Sequence, residues 1–188
     1  IDEETGETTV SGLGELHIEA KVERHLEEEG IDIEVSEPIV VFREGITEES
    51  PEVTGKSPNR HNKLEMSVEP IPESARKFLK EEYEEVKMQA DEEREIVDAM
   101  IDAGLDADDA ENILEVYEEN VFVNASRGIK NLREIQEYLL DAFKEFCDEG
   151  PLAGEPVIGF MVKLHDAKLH EDAIHRGPSQ MIPTTKDA

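Results

Sequence analysis

The hydrophobic positions fall into two periods that alternate along the chain. Leu16, Ala20, Val22 and Leu26 recur at roughly helical spacing between Gly14 and Gly30. A short strand is predicted before them, over 7–10. Ile31, Ile33 and Val35 alternate as a half-buried strand does, Pro38 breaks the run, and Ile39 to Phe42 reads as a second strand. This β-α-β piece is too small for a complete core and reads as the second half of an α+β sandwich. Residues 44–60 carry Gly, Pro and Ser without periodicity, which predicts a linker or long loop with a domain boundary near it.

Alternation resumes at Leu64, Met66 and Val68, a strand with one buried face over 61–70. The run 73–89 is helical. Two shorter helices are expected at about 91–103 and 107–119, with Gly104 between them. Their faces are Ile96, Met100 and Ile101, then Ile113, Leu114, Val116 and Tyr117, and Asp106 or Asp108 is the N-cap of the second. Val121 to Val123 is a short strand. The strongest helix spans 131–149, with Leu132, Ile135, Leu139, Ala142, Phe143 and Phe146 as its apolar stripe and Gly150-Pro151 as its stop. A strand over 157–164 precedes a polar, His-rich segment at 165–180. Pro183 sits where a helix should begin, so the expectation is a fold whose last helix is missing.

Charge changes the picture more than composition does. The 188 residues hold 19 Lys and Arg against 48 Asp and Glu, a formal net charge of −29. Such a chain is repelled by nucleic acid and by anionic membranes at long range. The simplest reading is a solvated acidic surface, as suits high internal salt, so the informative places are those where acid is absent. No apolar run approaches the ~18–20 residues of a membrane helix. The opening IDEETGETT has no basic or apolar stretch of a signal peptide. Position 1 is not Met, so the chain is expected to begin inside a larger one. The single Cys147 excludes a disulfide framework and a Cys-based zinc site, and fits a cytoplasmic setting.

Three candidate chemistries arise. Gly55-Lys56-Ser57 ends like a phosphate-binding loop, but position 50 is Ser where that loop requires Gly, and Pro58 blocks the following helix. His170, Glu171 and His175 resemble the helical zinc motif, but a spacing of five turns the second His about 140° off the face of the first. His165, His170 and His175 could still converge from a loop with Asp166 and Asp172, which keeps a standalone metal-binding hydrolase as the alternative function. An acidic scaffold binding a basic partner through 73–119 is a further rival. The third chemistry is anion contact. Lys56, Arg60, His61 and Lys63 form one cationic stretch, and His165, Lys168, His170, His175 and Arg176 the other. If both loops share one end of a domain, they suit phosphate contact on RNA without sequence readout. With no Trp, 3 Tyr and 6 Phe, most on buried stripes, no stacking platform is expected.

At these residues the sequence resembles a known family. SGLGELHIEAKVERHL (11–26) is similar to the Gly-Glu-Leu-His helix in the third domain of translational translocases, and EPIVVFREGITEES (37–50) to that domain's strand and exit. TGKSPNRHNKLEMSVEPI (54–71) resembles the start of the fourth domain of the archaeal and eukaryotic elongation factor 2 family. LHDAKLHEDAIHRGPSQMIPT (164–184) resembles the loop that bears its diphthamide histidine. Pro178-Ser179 replaces the further Gly of eukaryotic members, which favours an archaeal source.

The resemblance implies an internal fragment. Residues 1–53 would be the second half of a ferredoxin-like third domain. Residues 54–188 would be the fourth, tip domain, like the second domain of ribosomal protein S5 with acidic helical insertions, and truncated at its C-terminus. The implied function is ribosomal translocation of tRNA and mRNA, with the tip reaching the small-subunit decoding region. His175 stands at the modified position. Lys56, Ser57, Pro58, Asn59, Arg60, His61, Asn62, His170, Asp172, Arg176 and Gly177 would contact RNA or shape the tip. No catalytic or metal residue is implied here, and the GTP and magnesium of the parent GTPase would belong to an absent domain. Implied partners are the ribosome and the diphthamide-synthesis enzymes, with no membrane and a monomeric state.

Overall fold

The computed structural model describes residues 10, 12–31, 42–90 and 93–188. Two compact units divide between residues 41 and 42. In the first, the predicted helix runs from α1 (Glu15–Ile18) through a π turn (Glu19–Glu23) into α2 (Arg24–Glu28). Gly30 ends it at φ +76°, a left-handed stop that suits Gly. The strands expected at 7–10, 31–35 and 39–42 fall largely outside the described residues.

The second unit is mixed α and β around one five-stranded sheet. Its elements are β1 (Val53–Lys56), β2 (Lys63–Pro70), α3 (Glu73–Glu81), α4 (Tyr83–Gln89), α5 (Glu93–Asp102), α6 (Ala107–Glu111), β3 (Ile113–Tyr117), β4 (Asn120–Asn124), α7 (Leu132–Asp148), β5 (Phe160–Lys168) and α8 (Pro178–Asp187). The strand order is β1-β2-β5-β4-β3. Within this sheet β4 and β5 run parallel and the other neighbours antiparallel, and α7 makes the crossover between the parallel pair.

Period-two alternation sorts the side chains into two cores. Leu64, Met66, Phe122, Phe160, Val162 and Leu164 meet Ile135, Leu139, Phe143 and Cys147 of α7 and Met181 of α8. Val121, Val123 and Met161 point to the opposite face and meet Ala75, Phe78, Leu79, Tyr83, Met100 and Ala110 of α3–α6. Phe143 packs edge-on against Phe122 and Phe160, with ring centroids 5.4 and 5.9 Å away. Lys163 lies on the second face and is paired with Glu69 at 2.9 Å and Asp109 at 2.7 Å, which anchors the acidic α6 to the sheet. A β-bulge sits at His165, because Leu164 pairs with Met66 and Asp166 with Glu65. Beyond it the alternation shifts by one, so Ala167 joins the first core.

Four expectations are corrected. The last helix is present: α8 starts at Pro178, in the first turn where Pro is suited, and Pro183 lies inside it. Met181 and Thr184 of α8 are fully buried, so the first core is covered. Residues 113–117 form a strand instead of helix. A two-residue turn at Glu118-Glu119, with Glu118 at φ +53°, folds them back on the buried β4. Residues 44–60 hold a strand, β1, whose aperiodic sequence is organised by pairing with β2. The helical run 73–89 breaks at Glu82.

The division at 41/42 also precedes the expected one at 53/54. Residues 42–53 are tied to the second unit. Glu44 and Val157 form a parallel bridge, and Ser50 exchanges hydrogen bonds with Val68, its N–H donating to the Val68 carbonyl at 2.8 Å and its Oγ accepting from the Val68 N–H at 2.9 Å. The Glu44 carboxylate accepts N–H groups of Ala153 at 2.8 Å, Leu152 at 3.1 Å and Glu155 at 3.3 Å. Those donors, Ala153 foremost, hold its carboxyl below the usual carboxylate range. A Cβ on Gly150 would sit 2.5 Å from the same carboxyl carbon, so a larger residue there would displace the Glu44 carboxylate from its donors.

Candidate nucleic-acid interface: the tip loops

Two loops meet at one end of the sheet. The first, 57–62, is the β1–β2 turn. Its Ser57 N–H donates to the Asn62 carbonyl at 3.1 Å, and the Arg60 N–H to the Ser57 carbonyl at 2.7 Å. Arg60 takes φ +61° at the apex and is exposed. The second, 169–177, joins β5 to α8. Its centre is a 3₁₀ turn, Ala173–His175, capped by the Asp172 carboxylate, which accepts the Ile174 N–H at 3.2 Å.

Asn62 joins the loops. Its side chain is fully buried. Nδ2 donates to the His175 carbonyl at 2.8 Å and to Ser57 Oγ at 3.2 Å, while Oδ1 accepts the His170 N–H at 3.0 Å. Asn59 adds a second donor to the His175 carbonyl at 3.2 Å. Its own N–H donates to Gln180 Oε1 of α8 at 3.0 Å. The Ser57 hydroxyl donates to Asn59 Oδ1 at 2.6 Å and accepts the Asn62 N–H at 2.9 Å.

The imidazoles of His61, His170 and His175 then cluster at the apex. Ring centroids are 4.5 Å apart for His170–His175, 5.1 Å for His61–His170 and 5.2 Å for His61–His175. His170 Nδ1 accepts the Asp172 N–H at 3.0 Å, which leaves the proton of the neutral ring on Nε2.

The profile of elongation factor G, domain IV, matches residues 82–188, more than half of the chain, and that of elongation factor G, domain III, matches 1–37. Elongation factor 2 of Methanocaldococcus jannaschii is 48% identical over 188 residues. That of Archaeoglobus fulgidus is 46% identical and that of Thermococcus onnurineus 45%. This chain belongs to the elongation factor 2 family. The three relatives are archaeal, and the alignments cover 99–100% of this chain but only 25–26% of theirs. The chain thus spans about a quarter of the length of the curated relatives it matches.

In this member of the family the expected site residues divide by exposure. Lys56, Pro58, Arg60, His61 and Asp172 are exposed, and Asn59, His170, His175 and Gly177 half-buried. Ser57, Asn62 and Arg176 are buried, with Arg176 only 5% exposed. The Arg176 guanidinium turns inward. It donates to the carbonyls of His170 at 2.8 Å and Glu171 at 3.4 Å, and pairs with the Glu134 carboxylate in the first turn of α7. Its Nε has no partner among the described residues. Gly177 has extended backbone and open space around it, which leaves the surface beside His175 clear.

The metal-binding alternative finds no support. His165 Nε2 lies 2.7 Å from Ser67 Oγ and is not among the clustered imidazoles of His61, His170 and His175. No group of three or more His, Cys, Asp or Glu among the described residues is arranged to hold a metal. Sequence reasoning missed Glu134, Gln180 and Asp187, whose carboxylate accepts the Lys56 N–H at 3.0 Å. Each lies on α7 or α8, far along the chain from the residue it holds, and no local pattern signals such a contact.

Proposed function

We propose that this chain is the tip-bearing segment of an archaeal-type elongation factor 2, and that its paired loops act at the small-subunit decoding region during translocation of tRNA and mRNA. The observation that carries the reading is the double anchoring of the His175 carbonyl by Asn59 and Asn62. It presents one imidazole at a fixed apex on an otherwise acidic body. His175 is the residue modified to diphthamide by the family's synthesis enzymes, and the fixed cation so added contacts phosphate and base edges near the codon–anticodon pairs. Lys56, Arg60, His61 and His170 contact RNA beside it. Ser57, Asn59, Asn62, Asp172 and Arg176 position the loops, and Pro58 and Gly177 shape their outline.

By the same reading, residues 42–188 are related to the second domain of ribosomal protein S5, and residues 1–41 close a ferredoxin-like domain. GTP and magnesium are bound by another part of the whole protein, and this segment performs no chemistry. The test is His175→Ala in the full-length factor. Slower single-round translocation and more frequent frame loss are expected, and unchanged rates and frame maintenance would refute the reading.

A further inference from the structure

Lys63 and Lys168 belong to neither loop, yet the strand register ties both to Lys56. Lys56 pairs with Lys63 across β1–β2, and Lys63 with Lys168 across β2–β5. Residues paired directly project from one face. Three ammonium groups therefore stand in a row across adjacent strands, over roughly 10 Å at the usual strand spacing. The next residues inward, Gly55, Leu64 and Ala167, face α7 and α8. The lysine row is thus on the opposite face.

Further along, that face is covered by α3–α6. At the tip end it is open: Thr54, Lys56, Lys63, Asp166 and Lys168 are all exposed. None of the three lysines has an ion-pair partner among the described residues. Like charges placed directly opposite destabilise a sheet. In a chain with 48 acidic residues to share among 19 cations, such a row calls for a polyanionic partner. Glu65 and Asp166 are paired one row further in, on the same face. They repel a phosphate chain that slides inward and confine it to the rim.

We propose that this uncovered sheet face is a second RNA-backbone surface, on which Lys56, Lys63 and Lys168 contact phosphates of one strand beside the site of the imidazole cluster. The inference rests on the reading of the tip as ribosome-facing and adds a sequence-independent contact that sets its register. The test is the salt dependence of ribosome binding by the full-length factor. Replacing the row (Lys56→Gln, Lys63→Gln, Lys168→Gln) is expected to reduce the slope of log K against log salt by about 2. The double variant Lys63→Gln, Lys168→Gln, which spares the tip loops, should reduce it by about 1.4. Removing equal charge from the acidic helices (Lys77→Gln, Lys80→Gln, Lys87→Gln) should leave it unchanged. An unchanged slope in the row variants, or an equal change in the helix control, would overturn the proposal. A silent His175→Ala together with a reduced slope would retire the role given to His175 and leave the surface standing.

Discussion

Asn62 is the residue on which the tip geometry depends. It satisfies groups from both loops while fully buried, so truncation leaves the His170 N–H and the His175 carbonyl short of partners. Asn62→Ala is expected to cost about 2–3 kcal/mol in urea denaturation and to speed amide exchange across 170–176. Asn62→Asp should be at least as harmful, since it sets an acceptor against the His175 carbonyl. A cost below about 0.5 kcal/mol, the scale of a neutral surface change, would contradict this role. The cationic types at the tip were legible in the sequence, because they stand out from an acidic background. Their division into outward and inward groups was not. Arg176 reads as one more phosphate contact until its guanidinium is found under the loop, and only the fold brings Glu134 to it.

At the scale of elements, α8 decides how the tip is held. A Cβ on Gly55 would lie 2.4 Å from the Thr184 carbonyl oxygen and 2.7 Å from the Ala188 N. Gly55→Ala must therefore push α8 off β1, and with it Gln180, which holds the first loop, and Asp187, which holds the end of β1. A loss of about 1–3 kcal/mol is expected, on the scale of overpacking, read as a lower denaturation midpoint. A variant as stable as the parent would show that β1 and α8 separate freely. The elements with strong periodicity, β2 and α7, were predictable within a few residues. The weakly patterned ones were not. Ile113 to Tyr117 looks amphipathic in either period, and a hairpin with the buried β4 decides for strand. Pro183 reads as a helix start because Pro favours first turns. Pro178 already occupies that position, and packing of Met181 and Thr184 carries the helix past the second Pro.

For the whole molecule, net charge opposes the packing of the two cores. With a net charge of −29, most carboxylates have no cation to pair with, and self-repulsion acts against the compact state at low ionic strength. The melting temperature should rise steadily from dilute buffer to molar salt, and a flat salt dependence would mean the charges are locally compensated. The mixed α and β class and the acidity of the chain followed from the sequence. The two-sided sheet did not, because its order β1-β2-β5-β4-β3 rests on pairings between distant segments. That topology puts the 57–62 and 169–177 loops at one end and the acidic helices on one face.

Tethered-probe cleavage reports directly whether this end meets decoding-region RNA. Cys147 is the chain's only cysteine, and burial pushes its thiol up to about 12, so it stays protonated and unreactive near pH ~8. Ile174 is 78% exposed beside His175. Ile174→Cys in the full-length factor, with cysteines outside this segment removed, can therefore carry an iron chelate at one site. Hydroxyl-radical cleavage of small-subunit RNA confined to the decoding region is expected when the factor is bound. Cleavage elsewhere, or none from a factor that still binds, would contradict it.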